Sequence, residues 1–251
     1  MPILKIDKNL ILACQISGIY DVNRNETLAD DDYSLIENWC ESIINLDLQG
    51  LIFHNNYSET FCEAFSNNNI QFIKVEYDPN FNPNIYRYWI YDQFLKSHFE
   101  QIKNVFVTDV SDVVVLKNPF EQPFYKANPG FVFCGDEPKK LENEWMKSHS
   151  EHLRNKIKDY AEYEENFKNE TLLNCGIIGG NFNVMSPFIG KLSAIHRNYN
   201  FNNKTAFTGD MGAFNYLSRT QFNDRLLHGF PINTEFKAYQ TERIDCWFRH
   251  K

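Results

Sequence analysis

The sequence lacks the long apolar run that a membrane-spanning helix requires. No stretch of it approaches the roughly 20 consecutive apolar residues that cross a bilayer. Its first residues, MPILKIDKNLILACQISG, contain an apolar run of strand length, not the charged segment and longer apolar core of a secretory signal. We therefore expect a cytoplasmic protein with no transmembrane segment, for which peripheral contact with a membrane stays open.

An excess of basic residues is also missing. Lys and Arg number 25 against 33 Asp and Glu, which gives a formal net charge of −8. Because an acidic surface repels phosphate backbones, we expect no nucleic-acid partner. The six cysteines form no CxxC pair and no zinc-ligand spacing, so we interpret them as reduced, mostly buried thiols. A Gly-rich phosphate loop is absent as well.

Short apolar runs alternate with amphipathic stretches, and hydrophobic residues make up 43% of the chain. The predicted strands are Asn9–Ile16, the residues around Leu51, Ile70–Tyr77, Val105–Thr108, Phe131–Cys134 and Leu172–Val184. The predicted helices are Asp30–Leu46, Tyr57–Phe65, Asn84–Phe99, Pro187–Tyr199 and Gly209–Ser218, with further helix within Pro138–Lys168. This order indicates an α/β fold, with a mostly parallel central sheet flanked by helices. No repeat or linker divides the chain, so we predict one domain over residues 1–251.

An acidic motif follows the fourth predicted strand. Asp109 and Asp112 lie between two apolar runs in VFVTDVSDVVVLKNPF, residues 105–120. An unpaired buried carboxylate costs several kcal/mol, so two of them here need a reason. Carboxylates at the carboxyl edge of a parallel sheet are well placed to hold a hard divalent cation. The alternative is a turn in which the two side chains cap nearby backbone N–H groups.

This segment resembles the DxD region of GT-A glycosyltransferases, in which a strand leads into Asp-x-Asp and an apolar run follows. It is most similar to the Asp-x-x-Asp-Val variant of some nucleotide-diphospho-sugar transferases, and it departs from a strict DxD by one residue. The resemblance implies a GT-A-like fold, a UDP-sugar or other nucleotide-sugar donor, and Mn²⁺ or Mg²⁺ held by Asp109 and Asp112. Asp112 matches the second acid best, because VVVLKNPF follows it directly.

Two more segments carry the resemblance. Arg87 corresponds to an arginine that family 8-like transferases place before the DxD motif, where it reaches the donor sugar and the first acid; a surface ion pair is the alternative. LNCGIIGGN, residues 173–181, resembles the family's Asn-x-Gly strand beside the donor sugar. It implies that Asn174 contacts sugar hydroxyls and that Gly179 and Gly180, like Gly176, approach a ligand closely. Such glycines alternatively mark a bulge.

A later helix start and the first strand add weaker signals. The segment 208–216, TGDMGAFNY, resembles the family's Asp-Gln-x-x-hydrophobic-Asn helix start, with Met in place of Gln. It implies that Asp210 lies by the reacting carbon or the acceptor; an ordinary N-cap is the alternative. At the end of the first strand, the resemblance implies nucleoside contacts by Ala13, Gln15 and Ser17.

The related enzymes also fold a late histidine and a nearby lysine over the diphosphate. We favour His250, with Lys251 beside it, as this third metal ligand, because Trp247 and Phe248 can anchor the segment to the domain. The alternative is a disordered tail, with His228 then the better ligand.

The resemblance implies a metal-dependent transferase that moves a sugar to a glycan acceptor, most similar to retaining enzymes. It assigns the nucleotide to residues 1–120 and the acceptor side and tail to residues 121–251. A non-catalytic nucleotide- or sugar-binding protein of the same fold stays open. A phosphoryl-transfer enzyme of the haloacid dehalogenase type fits poorly, because it needs acids two residues apart after the first strand.

Overall fold

The computed structural model describes residues 6–21, 25–202 and 209–251, so Thr208, which begins one of the segments discussed above, lies outside the described residues. The strands are β1 (Asn9–Gln15), β2 (Tyr20–Asp21), β3 (Glu26–Thr27), β4 (Gln49–His54), β5 (Ile70–Lys74), β6 (Asn104–Thr108), β7 (Val113–Val115), β8 (Val132–Lys140), β9 (Thr171–Asn181), β10 (Leu226–His228) and β11 (Phe248–His250). The helices are α1 (Glu37–Asn45), α2 (Glu59–Phe65), α3 (Pro83–Ser97), α4 (Pro123–Ala127), α5 (Glu144–Arg154), α6 (Tyr160–Phe167), α7 (Phe182–Tyr199) and α8 (Asp210–Gln221). Short 3₁₀ turns lie at Tyr33–Leu35, Pro119–Glu121 and Asn223–Arg225.

Seven strands form the central sheet, in the order β10-β8-β9-β6-β1-β4-β5. The pairs β1–β4, β4–β5, β1–β6 and β8–β10 are parallel, whereas β9 runs antiparallel to both β6 and β8. The predicted mostly parallel α/β sheet is therefore confirmed. From β1 the chain moves outward through β4 and β5, then returns to place β6 on the other side of β1. The strand order thus reverses between β1 and β6.

Apolar side chains cover both faces of the sheet, which explains why β1 reads as an unbroken apolar run. Leu10 and Leu12 pack into one hydrophobic cluster, and Ile11 and Ala13 into the other. This alternation follows from the two-residue period of a strand. A strand buried on both faces is typical of the centre of a parallel sheet.

Several predicted boundaries were wrong for local reasons. The predicted helix from Asp30 begins only at Glu37, after a 3₁₀ turn that the Asp32 side chain caps through the Ser34 N–H. Strand β8 continues to Lys140, where it pairs with β9, so helix in that region starts at Glu144. The predicted strand to Val184 ends earlier, because Asn181 accepts the Val184 N–H and caps α7.

None of the helices in the described ranges is long and apolar enough to cross a membrane. The cytoplasmic location and the single domain stay predictions.

Candidate functional site

A cleft of about 490 Å³ opens at the carboxyl ends of β1 and β6, where the strand order reverses. Open α/β sheets bind ligands at such a point, because the loops there diverge and leave a crevice. Residues from β1, α3, the β6–β7 loop, β8, β9, α5 and α8 line it. The fold therefore brings together side chains that lie far apart in the sequence.

Two acids and one histidine meet on one side of this cleft. Asp109 and Asp112 lie in the turn between β6 and β7, and β11 pairs antiparallel with β7, with His250 opposite Val113. His250 Nε2 lies 3.6 Å from an Asp112 carboxylate oxygen and 3.9 Å from one of Asp109. One ligand atom from each of the three residues lies within 4.8 Å of the others. Two carboxylates and one imidazole suit a divalent cation such as Mn²⁺.

The β11 segment is held firmly by its neighbours. Trp247 and Phe248 are only 2% and 0% exposed, and the ring of Phe248 lies 5.1 Å from that of Phe106. His250 is buried, its backbone N–H donates to Thr234 Oγ1, and its ring packs edge-on against Phe236. The imidazole thus has a fixed position beside the acids.

Gly176 leaves the room in which the three side chains meet. A Cβ at this position would lie 2.7 Å from Asp109 Oδ2 and 2.9 Å from His250 Nε2, closer than real contacts of that kind. The backbone carbonyl of Gly176 also accepts the Asp109 N–H at 2.8 Å. The small residue therefore both holds the loop and keeps space beside the acids, which fits a bound ion.

Arg87 on α3 forms an ion pair with Asp109. Its side chain is 11% exposed, so the alternative of a surface ion pair does not describe it. Burial lowers the pKa of the guanidinium, but Asp109, together with the neighbouring Tyr88, Cys175 and Tyr91, outweighs this and holds the pKa well above its ordinary value. The same group also donates to the Tyr88 hydroxyl at 3.2 Å. Arg87 is thus a permanent cation that fixes the first acid.

The wall formed by β9 and α8 continues from Arg87. Cys175 lies between Arg87 and Asp210, with its Sγ 3.7 Å from the guanidinium and 3.9 Å from an Asp210 oxygen. Burial raises the pKa of this thiol well above its ordinary value, so it stays protonated and donates to Asp210. Asp210 is the first residue of α8 and not its N-cap, which is Gly209. The helix N-terminus therefore favours its negative charge.

Asn174 lines the cleft, but both ends of its amide contact protein groups. Its nitrogen donates to Glu137 at 2.9 Å, and its oxygen accepts the Gly176 N–H at 2.7 Å. Glu137 is 7% exposed and has Lys139 3.7 Å from its other oxygen. This buried carboxylate on the cleft wall is absent from the residues predicted above. It stands in the run GDEPKK after the fifth predicted strand, where two acids and two lysines resemble a charged loop.

The two later glycines of β9 lie away from the cleft, contrary to their predicted approach to a ligand. A Cβ at Gly179 would overlap the ring of Phe106 on the neighbouring strand β6. A Cβ at Gly180 would lie 2.8 Å from the Phe131 carbonyl oxygen. Both glycines therefore allow close packing inside the sheet, and neither contributes to the cleft lining.

Of the predicted nucleoside contacts, only Gln15 lines the cleft. Ala13 is fully buried among apolar side chains. Ser17 is 1% exposed and holds two loops together, because its hydroxyl donates to Asp30 and its N–H to Asn55. Cys14 also lines the cleft, beside Gln15. It lies within the apolar run of the first strand, and no feature of that run marked it as a cleft residue.

The alternative histidine lies elsewhere. His228 on edge strand β10 contacts Asp136 at 2.9 Å and does not join the acidic cluster. Lys251 donates its backbone N–H to the Asp112 carbonyl at 2.9 Å, which holds the loop, but its side chain is not part of the cleft lining.

Comparisons with known proteins bear on the fold. No family model and no curated protein matches the chain. Among solved structures, it is similar to the galactosyltransferase LgtC in complex with donor and acceptor sugar analogs. That match covers 96% of this chain and 86% of the other at 13% identity, with a TM-score of 0.51. An identity this low shows the fold alone. The predicted GT-A-like fold, with an acidic motif at the end of a central strand, is confirmed.

Proposed function

We propose that the protein is a metal-dependent glycosyltransferase that moves a sugar from a nucleotide-sugar donor, a UDP-sugar, to a glycan acceptor. The observation that carries this proposal is the Asp109–Asp112–His250 cluster at the strand reversal, with Arg87 paired to the first acid. The similar structure of LgtC, which holds donor and acceptor sugar analogs, supports it.

The cluster would hold Mn²⁺ or Mg²⁺ through Asp109, Asp112 and His250. Bound there, the cation would stabilise the negative charge of the departing nucleoside diphosphate. The residues present fit that role, because three ligand atoms already converge and Gly176 leaves space beside them.

The other residues would position the donor. Gln15 lies at the nucleoside side of the cleft, at the end of β1. Arg87 would keep Asp109 ionised and oriented, and its charge would attract the donor's phosphates. Asn174 would position the donor sugar, and it orders the cleft wall by donating to Glu137. These contacts orient the reacting carbon, and orientation is a large part of a transferase's rate enhancement.

Asp210 would lie nearest to the reacting carbon or the acceptor hydroxyl. The Cys175 thiol donates to its carboxylate, and Asp210 is the first residue of α8. An ionised carboxylate there would support a retaining reaction by stabilising positive charge at the sugar, and in an inverting one it would act as the base. We propose retention, which the stereochemistry of the product tests directly.

The test is Asp112→Asn, with Asp136→Asn as a matched control, because Asp136 also contacts a histidine but lies outside the cluster. We would titrate UDP with Mn²⁺ by calorimetry, then measure transfer and hydrolysis for a panel of UDP-sugars. Asp112→Asn should lose Mn²⁺-dependent binding and turnover, whereas Asp136→Asn should keep both.

Full turnover in Asp112→Asn, or in wild type with excess EDTA, would contradict the metal assignment. Tight Mn²⁺-dependent binding of a UDP-sugar without any transfer or hydrolysis would instead identify the non-catalytic binding protein.

A further inference from the structure

We infer that the wall of the cleft opposite β1 is a saccharide-stacking subsite for the acceptor, centred on Trp145. The inference rests on the proposed function and assigns a part of the same cleft that the acidic cluster does not use. Trp145 is the second residue of α5, which lies between β8 and β9, and it lines the cleft. The side chain is 44% exposed, although free tryptophan surface is costly to leave in water.

Trp145 differs from the other three tryptophans, all of which lie within the described residues. Trp39 and Trp247 are buried in the core, and Trp89 is half-buried outside this cleft. Trp145 is thus the only one of the four tryptophans, all of them within the described residues, that lines the cleft.

The indole has a rigid support. The imidazole of His149, one helical turn later, stacks on it with centroids 3.5 Å apart and planes 26° apart. His149 is itself 6% exposed, and its Nδ1 lies 2.8 Å from the Trp145 carbonyl oxygen. Burial lowers the pKa of His149, so the support is a neutral ring at physiological pH. Because His149 covers one face, the exposed surface belongs to the other face and the edge of the indole.

The cleft that Trp145 lines also contains the polar groups that a sugar requires. Glu137, Lys139 and Asp210 line it, and they offer charged acceptors and a charged donor to hydroxyl groups. A sugar ring presents C–H groups on its face and hydroxyls at its edge. An aromatic platform bordered by a few polar groups matches both surfaces.

The order of the strands indicates whether the donor sugar or the acceptor sugar would stack on Trp145. Successive strands lie about 4.8 Å apart, so in the order β8-β9-β6-β1 the β8 wall is about 14 Å from β1. With the nucleoside at β1 and the diphosphate at Asp109 and Asp112, the transferred sugar lies against β9. The ring that stacks on Trp145 is then the next one outward, which belongs to the acceptor.

The experiment measures acrylamide quenching of tryptophan fluorescence in the full chain, with and without lactose, maltose, cellobiose or methyl glucoside. We expect at least one saccharide to shield Trp145 in wild type and the shielding to vanish in Trp145→Ala. From the usual value of an aromatic contact, saccharide affinity measured by calorimetry should fall about tenfold in Trp145→Ala and less in Trp145→Phe. Trp89→Phe, with its aromatic ring outside the cleft, is the matched control and should behave as wild type.

Titration with UDP and Mn²⁺ separates this inference from the proposed function. Trp145→Ala should bind UDP with Mn²⁺ as wild type does, and its melting temperature should stay close to that of wild type. Equal loss of UDP affinity would place Trp145 in the donor site and overturn the inference, as would an indole that no saccharide shields. A wild type that binds saccharides but not UDP with Mn²⁺ would overturn the proposed function and leave the subsite standing.

Discussion

Replacing Gly176 with alanine adds one methyl group where the two acids and the histidine converge. The Cβ would lie 2.7 Å from Asp109 Oδ2 and 2.9 Å from His250 Nε2, whereas ordinary contact begins at 3.4 Å. The backbone at Gly176 is outside the left-handed region, so alanine adds steric contact without backbone strain. To accept the methyl group, the Asp109 oxygen has to retreat by about 0.7 Å and the imidazole, whose Cε1 would lie 2.4 Å from the Cβ, by about 1 Å.

Metal–ligand distances tolerate only about 0.2 Å, so both shifts exceed what a bound ion allows. Mutations that disturb metal ligands or the groups that support them typically lower metal affinity 10- to 100-fold. We expect a loss of about that size in Gly176→Ala. Electron paramagnetic resonance of free Mn²⁺ during titration, with UDP present, measures the affinity directly. The free energy of unfolding without metal should fall by about 1–3 kcal/mol, because the methyl group also has to displace the buried imidazole of His250.

Two other glycines serve as controls. Gly130→Ala meets no atom within 4 Å and should leave both metal affinity and stability unchanged. Gly179→Ala would overlap the Phe106 ring, so it should lower stability by about 1–3 kcal/mol through overpacking of the core. Wild-type Mn²⁺ affinity in a folded Gly176→Ala protein would refute the assignment of the ion to this cluster.

Two further predictions concern the cation Arg87 and the neutral imidazole of His196. Arg87→Lys keeps the charge but loses the planar fork, so kcat/KM for the donor should fall ~10-fold or more; unchanged kinetics with a large fall in melting temperature would make Arg87 structural. Burial lowers the pKa of His196 to about 3, whereas an unfolded histidine binds its proton near pH 6.5. The unfolded state therefore gains protons first as the pH falls, and between pH 7.5 and 5 wild type should lose about 2 kcal/mol of stability more than His196→Gln. If urea denaturation showed that wild type and His196→Gln lose the same stability between these two pH values, the neutral imidazole at His196 would be contradicted.

The central sheet was predictable because a strand that is buried on both faces is apolar at nearly every position. Strand β1 and strand β6 are apolar on both faces, so their cores were identified without knowledge of their neighbours. Asp109 and Asp112 were predicted for the same reason, since acids between two apolar runs are out of place unless something binds them.

The partner of a short strand was not predictable. β7 and β11 are each three residues long and more than 130 residues apart, and their pairing alone brings His250 to the acids. The sequence therefore supported His250 over His228 only by the aromatic residues beside it. His228 follows Leu227 and His250 follows Phe248 and Arg249, and neither local pattern shows which histidine reaches the acids.

Irregular strands hid other residues of the site. β8 changes register against β9 between Cys134 and Gly135 and again before Lys140, so the alternation of apolar and polar side chains is lost. The run that follows Cys134 resembles a charged loop, and Glu137 was missed for that reason. Gly179 and Gly180 show the reverse error, because they were predicted to approach a ligand and instead pack inside the protein. The sequence does not reveal that Phe106 lies opposite Gly179.

The cleft concentrates acidic side chains. Asp109, Asp112, Glu137 and Asp210 all line it, within a chain whose net charge is already −8. Arg87 pairs with the first of them. Carboxylate oxygens of Asp109 and Asp112 lie within 4.8 Å of each other, and two like charges at that separation in a solvated site repel by about 1 kcal/mol. Asp112→Asn should therefore melt a few degrees higher than wild type in EDTA, while Mn²⁺ with UDP should reverse that order. A lower melting temperature for the variant under both conditions would mean that Asp112 stabilises the fold itself, and the acidic cluster would then need no ion to explain it.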